Sequence, residues 1–160
     1  MTTPVHTADP AVATVEAQVA MLLRLAEHSR RSAVRAPGSL ERSSYLVLGT
    51  LAARGPANVN AIATALRLDP STVTRQVLAM EAAGHAARTP DPHDGRGIVV
   101  SATPAGLAAL QATRESRGVM YAEILQDWTP DERALLAGML TRFNADVDEY
   151  GRRHQGSSRA

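Results

Sequence analysis

The chain contains no cysteine and no lysine. Without thiols there are no disulfides, no thiolate-bound zinc and no sensor that works by thiol oxidation. Aromatic residues make up only 3% of the chain, so its core must be built mainly of Ala, Leu and Val. No apolar run approaches the roughly 18 residues that span a bilayer. The start, MTTPVHTADPAV, has no basic segment leading into an apolar one, as a signal peptide would. The expectation is a soluble cytoplasmic protein without a membrane partner. A nucleophile elbow, a phosphate-cradling glycine loop and a catalytic carboxylate pair are all missing. No enzyme activity and no cofactor are expected.

At 160 residues the chain suits one domain with flanking assembly elements. A composition 44% hydrophobic and 21% charged is ordinary for a globular protein. The net charge of +1 is not that of a strongly basic nucleic-acid binder. All 17 basic residues are arginine, whose fork fits phosphate and guanine. A GC-rich coding bias produces the same enrichment, so nucleic-acid binding has to be argued from placement.

Apolar residues at spacings of three and four mark a helix from Ala11 to about Ala33, through Val12, Val15, Val19, Leu22, Leu23 and Ala26. After RAPGS, Ser39 is placed to cap a second helix carrying Tyr45, Leu46, Leu48 and Leu51. Asn58 is placed to cap a third, through Leu66. Asp69, its carboxylate placed to accept free backbone N–H groups, starts a fourth at Pro70, with Val73, Val77, Leu78 and Met80 inward and Gly84 as its stop. Residues 85–89 and 97–102 read as strands around the turn-forming TPDPHDGR. Thr103 and Pro104 open a long helix with a weak point at Gly118, and TPDE, residues 129–132, is a capping box for the last one. The predicted fold is mostly α with a small β-hairpin. Its parts are disordered tails at 1–10 and 151–160, an N-terminal helix at 11–38, a central domain at 39–103 and C-terminal helices at 104–150.

Two short helices joined by LRLD form a helix-turn-helix, and the hairpin after them makes it winged. PSTVTRQ offers Ser71, Thr72, Thr74, Arg75 and Gln76 to a major groove while Val73 and Val77 face inward. Residues 66–106 resemble a known family more specifically. LRLDPSTVTRQVLAMEAAGHAAR is similar to the recognition-helix region of the MarR family of transcriptional regulators, and DGRGIVVSATPAG to that family's wing and return strand. Asp94, Arg96, Thr103 and Gly106 fall in register with its pattern. Arg67 departs from it, standing where many members have a turn glycine, which in a left-handed conformation costs on the order of 1 kcal/mol. His85, Ala86 and Ala102 replace larger apolar residues and weaken hairpin packing, but remove no DNA-contacting position.

The segment RTPDPHDGRGIVVS invites a second reading, in which Asp91, His93 and Asp94 form a metal or acid–base site. Against it, zinc needs three or four converging ligands, and the other histidines, His6, His28, His85 and His154, are scattered. The alternative is a wing tip. There Arg96 either pairs with Asp94 in solvent or, as the resemblance implies, enters the minor groove steadied by Asp94. Arg88 at the wing base is a candidate phosphate contact. Arg75 could serve a guanine or a phosphate.

The outer helices carry apolar stripes that the central domain does not need, and the resemblance implies that a second copy covers them. Such a homodimer would read an inverted-repeat operator in double-stranded DNA. The resemblance also implies a repressor modulated by a small aromatic or phenolic ligand held near His28, Tyr45 and Trp128. A winged-helix protein-interaction module without DNA binding is the main alternative. The Ser/Thr/Arg turn speaks against it, since such a face should carry aromatics or large aliphatics.

Overall fold

Backbone groups at the helix ends explain most boundaries in the computed structural model, which describes residues 9–32, 40–91 and 97–155. The order is α1 (Pro10–Ser32), α2 (Arg42–Arg54), α3 (Val59–Leu66), α4 (Pro70–Ala82), β1 (Ala86–Pro90), β2 (Ile98–Ala102), α5 (Pro104–Ile124) and α6 (Pro130–Gln155). The chain divides into two compact units, residues 1–39 and 40–160. In the first, Asp9 caps α1 by accepting from the Ala11 N–H at 2.9 Å. Val12, Val15, Leu22 and Leu23 lie exposed along that helix.

In the second unit, Asn58 caps α3, its side-chain oxygen accepting from the Ala61 N–H at 2.8 Å. Asn58→Ala should destabilise the protein by about 1 kcal/mol in chemical denaturation, the usual value of such a cap. Thr103 accepts from the Gly106 N–H at 3.0 Å and donates to the Gly84 carbonyl at 2.6 Å, so one hydroxyl starts α5 and ties it to the end of α4. At α6, Glu132 accepts from the Thr129 N–H at 2.8 Å and hydroxyl at 2.9 Å, while its own N–H donates to Thr129 Oγ1 at 3.3 Å. The backbone bond from Thr129 first, and the hydroxyl bond second, hold the Glu132 carboxyl below its ordinary pKa.

Helices α3 and α4 end in the same way. Leu68 N–H donates to Ala63 O and Arg67 N–H to Thr64 O; His85 N–H donates to Met80 O and Gly84 N–H to Glu81 O. Each pair is a Schellman motif, which needs a left-handed residue at its corner. Gly84 supplies it at φ 75° without a Cβ penalty. Arg67 supplies the other at φ 54°, the only non-glycine with positive φ among the described residues.

Strands β1 and β2 pair antiparallel, from Ala86↔Ala102 to Pro90↔Ile98. A further bridge joins Ala57, in the loop before α3, to Val100 through N–H···O bonds of 3.0 and 2.9 Å. The core takes Val47, Leu48 and Leu51 from α2, Ile62 and Ala63 from α3, and Val73, Val77 and Met80 from α4. Leu40, just before α2, and Ala86, Val100 and Leu110, from the hairpin and α5, complete it. The small pair Ala86 and Ala102 therefore lies in or against the core.

Several expectations need correction. Helix α2 begins at Arg42, with Glu41 at its N-cap and no side-chain cap bond, while Ser39 lies outside the described residues. Asp69 starts α4 through its carbonyl, which accepts from the Thr72 and Val73 N–H groups, and not through its carboxylate. The central domain does not stop at residue 103: Leu110 is buried, and the Thr113 hydroxyl accepts from the Leu40 N–H at 3.2 Å. Gly118 does not interrupt α5. The expected disordered tail at 151–160 is helical to Gln155, and the expected tail at 1–10 gives Pro10 to α1; residues 1–8 and 156–160 lie outside the described residues. The C-terminal extension has a physical cause. Arg152 and Arg153 pair back to Asp148 and Glu149 at helical spacing, and their positive charge suits a helix C-terminus. Tyr150 and His154 stack one turn apart, with ring centroids at 4.0 Å.

Candidate nucleic-acid interface

Helix α4 is held by three buried side chains, Val73, Val77 and Met80, which fix its inward face. The opposite face follows from the helical repeat. Ser71, Thr74 and Arg75 lie there exposed, while Thr72 and Gln76 sit at its flank, half-buried. The five expected recognition residues are therefore brought onto one helix but not onto one face. Thr74 donates its hydroxyl proton to Pro70 O at 2.8 Å, leaving its oxygen lone pairs outward as acceptors. The Gln76 side-chain oxygen is buried without a hydrogen-bond partner among the described residues. Arg75 is exposed, and among the described residues no acidic group pairs with it.

Leu78 belongs to this exposed face, not to the apolar side where its spacing suggested it. It is 45% accessible, one turn beyond Thr74 and Arg75. An aliphatic residue on an otherwise hydrophilic face was the only signal that could have found it. Its side chain can meet a thymine methyl, as the neighbouring polar groups cannot.

The wing base is tied to α4. Arg88 on β1 donates from Nε to Glu81 Oε2 at 2.9 Å, and its Nη2 lies 2.8 Å from the same oxygen. Both side chains are partly exposed, so a phosphate approaching Arg88 has to share it with Glu81. Beyond the strands, Asp91 N–H donates to Gly97 O at 2.9 Å and closes the base of the loop. His93, Asp94 and Arg96 lie outside the described residues. Neither the metal reading of this loop nor the minor-groove arginine therefore has a geometry here.

The three pocket candidates are distributed. His28 is an exposed residue of α1. Tyr45 is half-buried on α2, with the Arg117 guanidinium of α5 stacked 4.2 Å from its ring centre. Trp128 is 41% exposed in the turn between α5 and α6. Among the described residues no ring contact joins Tyr45 to Trp128.

Comparison with known proteins agrees with this arrangement of helices and wing. The family model described as MarR family matches residues 40–98, which run from the first core residue into β2. The HTH-type transcriptional regulator YxaD of Bacillus subtilis is 36% identical over 130 residues, covering 81% of this chain and 90% of its own. A MarR family protein from Bacillus stearothermophilus superposes with a TM-score of 0.70 at 21% identity, over 86% of this chain and 95% of that one. The Bordetella bronchiseptica protein BpsR, solved to explain regulation of its DNA binding by 6-hydroxynicotinic acid, superposes with a TM-score of 0.61 at 23% identity, over 79% and 98%. With a helix-turn-helix whose second helix turns Ser71, Thr74 and Arg75 outward, a hairpin wing behind it and such relatives, the chain belongs to the MarR family of winged-helix, DNA-binding transcriptional regulators.

Proposed function

We propose that the protein acts as a homodimeric repressor that binds an inverted-repeat operator and is modulated by a small aromatic or phenolic ligand. The observation that carries the operator reading is the exposed face of α4. There a short hydroxyl, an acceptor oxygen and an arginine with no acidic partner among the described residues share one rigidly backed surface. Such a surface suits base edges and phosphates of a major groove. In this reading Ser71, Thr74 and Arg75 make the principal contacts, with Thr72 and Gln76 at the margin. Arg88 approaches a phosphate, and Arg96, steadied by Asp94, enters the minor groove.

The outer helices support the dimer. Val119, Met120 and Ile124 of α5 lie exposed, as do Leu135, Met139, Leu140 and Val147 of α6. Exposed apolar surface on this scale marks an interface. A second copy covers it and sets two α4 helices about one DNA turn apart. Thr113 is the last buried position among the described residues, which leaves the rest of α5 and all of α6 for assembly and α1 as a further apolar helix. Ligand control is supported by the regulation of BpsR by 6-hydroxynicotinic acid. The Tyr45–Arg117 stack supplies an aromatic and a cationic group of the kind such a ligand requires.

A mobility-shift assay with the DNA upstream of the protein's own gene, at fixed and stated salt, tests this function. The expected result is a sequence-specific shift that weakens steeply as salt rises. Its absence at moderate salt would refute operator binding. In the same assay Arg96→Ala should weaken operator binding about tenfold or more, from about 1–3 kcal/mol per contact, with the thermal transition unchanged. Unaltered affinity would remove the wing arginine from the interface.

A further inference from the structure

Arg67 occupies a costly position for an arginine. It is the left-handed corner of the α3–α4 turn, where glycine would carry no penalty. The Schellman bonds hold the backbone there, and the side chain is held from 81 residues away. Arg67 Nε donates to Asp148 Oδ1 at 2.7 Å, and Nη2 donates to Oδ2 at 3.2 Å. A two-pronged arginine–carboxylate pair fixes orientation as well as distance. The hydrogen bond from Arg67 keeps the Asp148 carboxyl below its ordinary pKa.

Asp148 is in turn held on α6. Arg152 approaches its second oxygen at 3.5 Å and also pairs with Glu149, which Arg153 approaches at 3.9 Å. These contacts lie in the part of α6 that runs on to Gln155. No residue of α6 from 130 to 154 is buried, so a hydrophobic core does not set its position against the helix-turn-helix. The clasp joins the turn that carries α4 directly to a helix whose apolar side is exposed.

We infer that Asp148 is a positioning residue for DNA binding: by clasping Arg67 it fixes the recognition helix relative to α6, and so fixes the half-site spacing that the protein accepts. The inference rests on the dimer proposed above. Asp148 touches no DNA in it and acts only through Arg67. Without the clasp each reading head binds its half-site as before, but the distance between the two heads is less tightly held.

The test uses the full-length protein and the inverted repeat it selects from a random duplex pool. Affinity is measured for that duplex, for versions with spacing changed by one base pair either way, and for a single half-site. In Asp148→Asn the preference for the selected spacing should fall about fivefold, the upper range for a partly exposed pair, with half-site affinity unchanged. Arg67→Gln should do the same, and Arg67→Gln/Asp148→Asn should be no worse than either alone, since the two act as one unit. Rising salt should erode the wild-type preference and leave that of Asp148→Asn nearly flat. The ratio of two spacings cancels the phosphate contribution to salt dependence. An unchanged spacing profile in Asp148→Asn, or additive effects in the double variant, overturns the inference and leaves the dimer standing. Absence of any spacing preference in the wild type overturns both.

Discussion

Gly106→Ala should lower stability by about 2–3 kcal/mol, the usual cost of overpacking a tight site. For a chain of this size that corresponds to a fall in Tm of roughly 4–12 °C. Gly106 is buried in the first turn of α5. A Cβ there would press into the His85 carbonyl oxygen and lie 2.9 Å from the carbonyl carbon. The obstacle is backbone that cannot rotate aside. The same carbonyl oxygen accepts the Thr103 N–H at 3.1 Å, and the Thr103 hydroxyl bonds both Gly84 O and Gly106 N–H. Moving His85 away therefore loosens the junction of α4, β1 and α5 together. The helix-forming advantage of alanine, about 1 kcal/mol in a helix interior, is smaller than this cost. Gly118→Ala on the same helix is the control. A Cβ there meets nothing within 4 Å, so the substitution should be neutral or stabilising by up to about 1 kcal/mol. Thermal unfolding of the two variants side by side decides the matter. Equal Tm values would show that the β1–α5 junction yields without cost.

The largest functional effect is expected at Arg75. If its guanidinium forks onto a guanine, removing it costs about 1–3 kcal/mol per half-site. Two copies on one operator double that, and affinity in Arg75→Ala falls at least about 30-fold. Binding to unrelated duplexes would change little, so the specificity ratio falls with affinity. If Arg75 serves a phosphate instead, operator and unrelated DNA weaken together. The slope of log K against log salt then becomes shallower by about 0.9 for each phosphate that is no longer neutralised. Titrations on both duplexes at two salt concentrations separate these outcomes. The exposure of Arg75 makes the comparison clean, since its removal breaks no ion pair among the described residues and empties no part of the core. Unchanged affinity together with unchanged specificity would take Arg75 away from the DNA.

Local chemistry made much of the fold legible in advance. A cap acts within three residues, so Asn58, Thr103 and the Thr129–Glu132 box could be read from spacing alone, and the structure closes each with hydrogen bonds. Gly84 marked the end of α4 because a Schellman corner needs φ above zero. The β-branched run at 98–100 marked the return strand, and the Pro, Asp and Gly of TPDPHDGR marked the turn that makes a hairpin. The exposed Ser71, Thr74 and Arg75 were legible for a similar reason, since the inward Val73 and Val77 leave their opposite face outward.

Leu78 was misplaced because hydrophobicity gives the wrong direction for an aliphatic residue that lies exposed. The end of α6 was read as a tail because GRRHQ has no apolar periodicity. Its order comes from charge pairs at helical spacing and from Asp148, which lies opposite a turn 81 residues earlier. Arg67 looked like a defect in a turn that favours glycine. By itself the sequence determined where α3, α4, α5 and α6 start, where α4 stops and which family the pattern resembles, because those depend on groups a few residues apart. Only the tertiary structure decided that Gly106 must be glycine, that Ala57 extends the hairpin at Val100 and that Arg67 has a partner. Those contacts join segments with no local reason to meet, and the packing of the helices creates them.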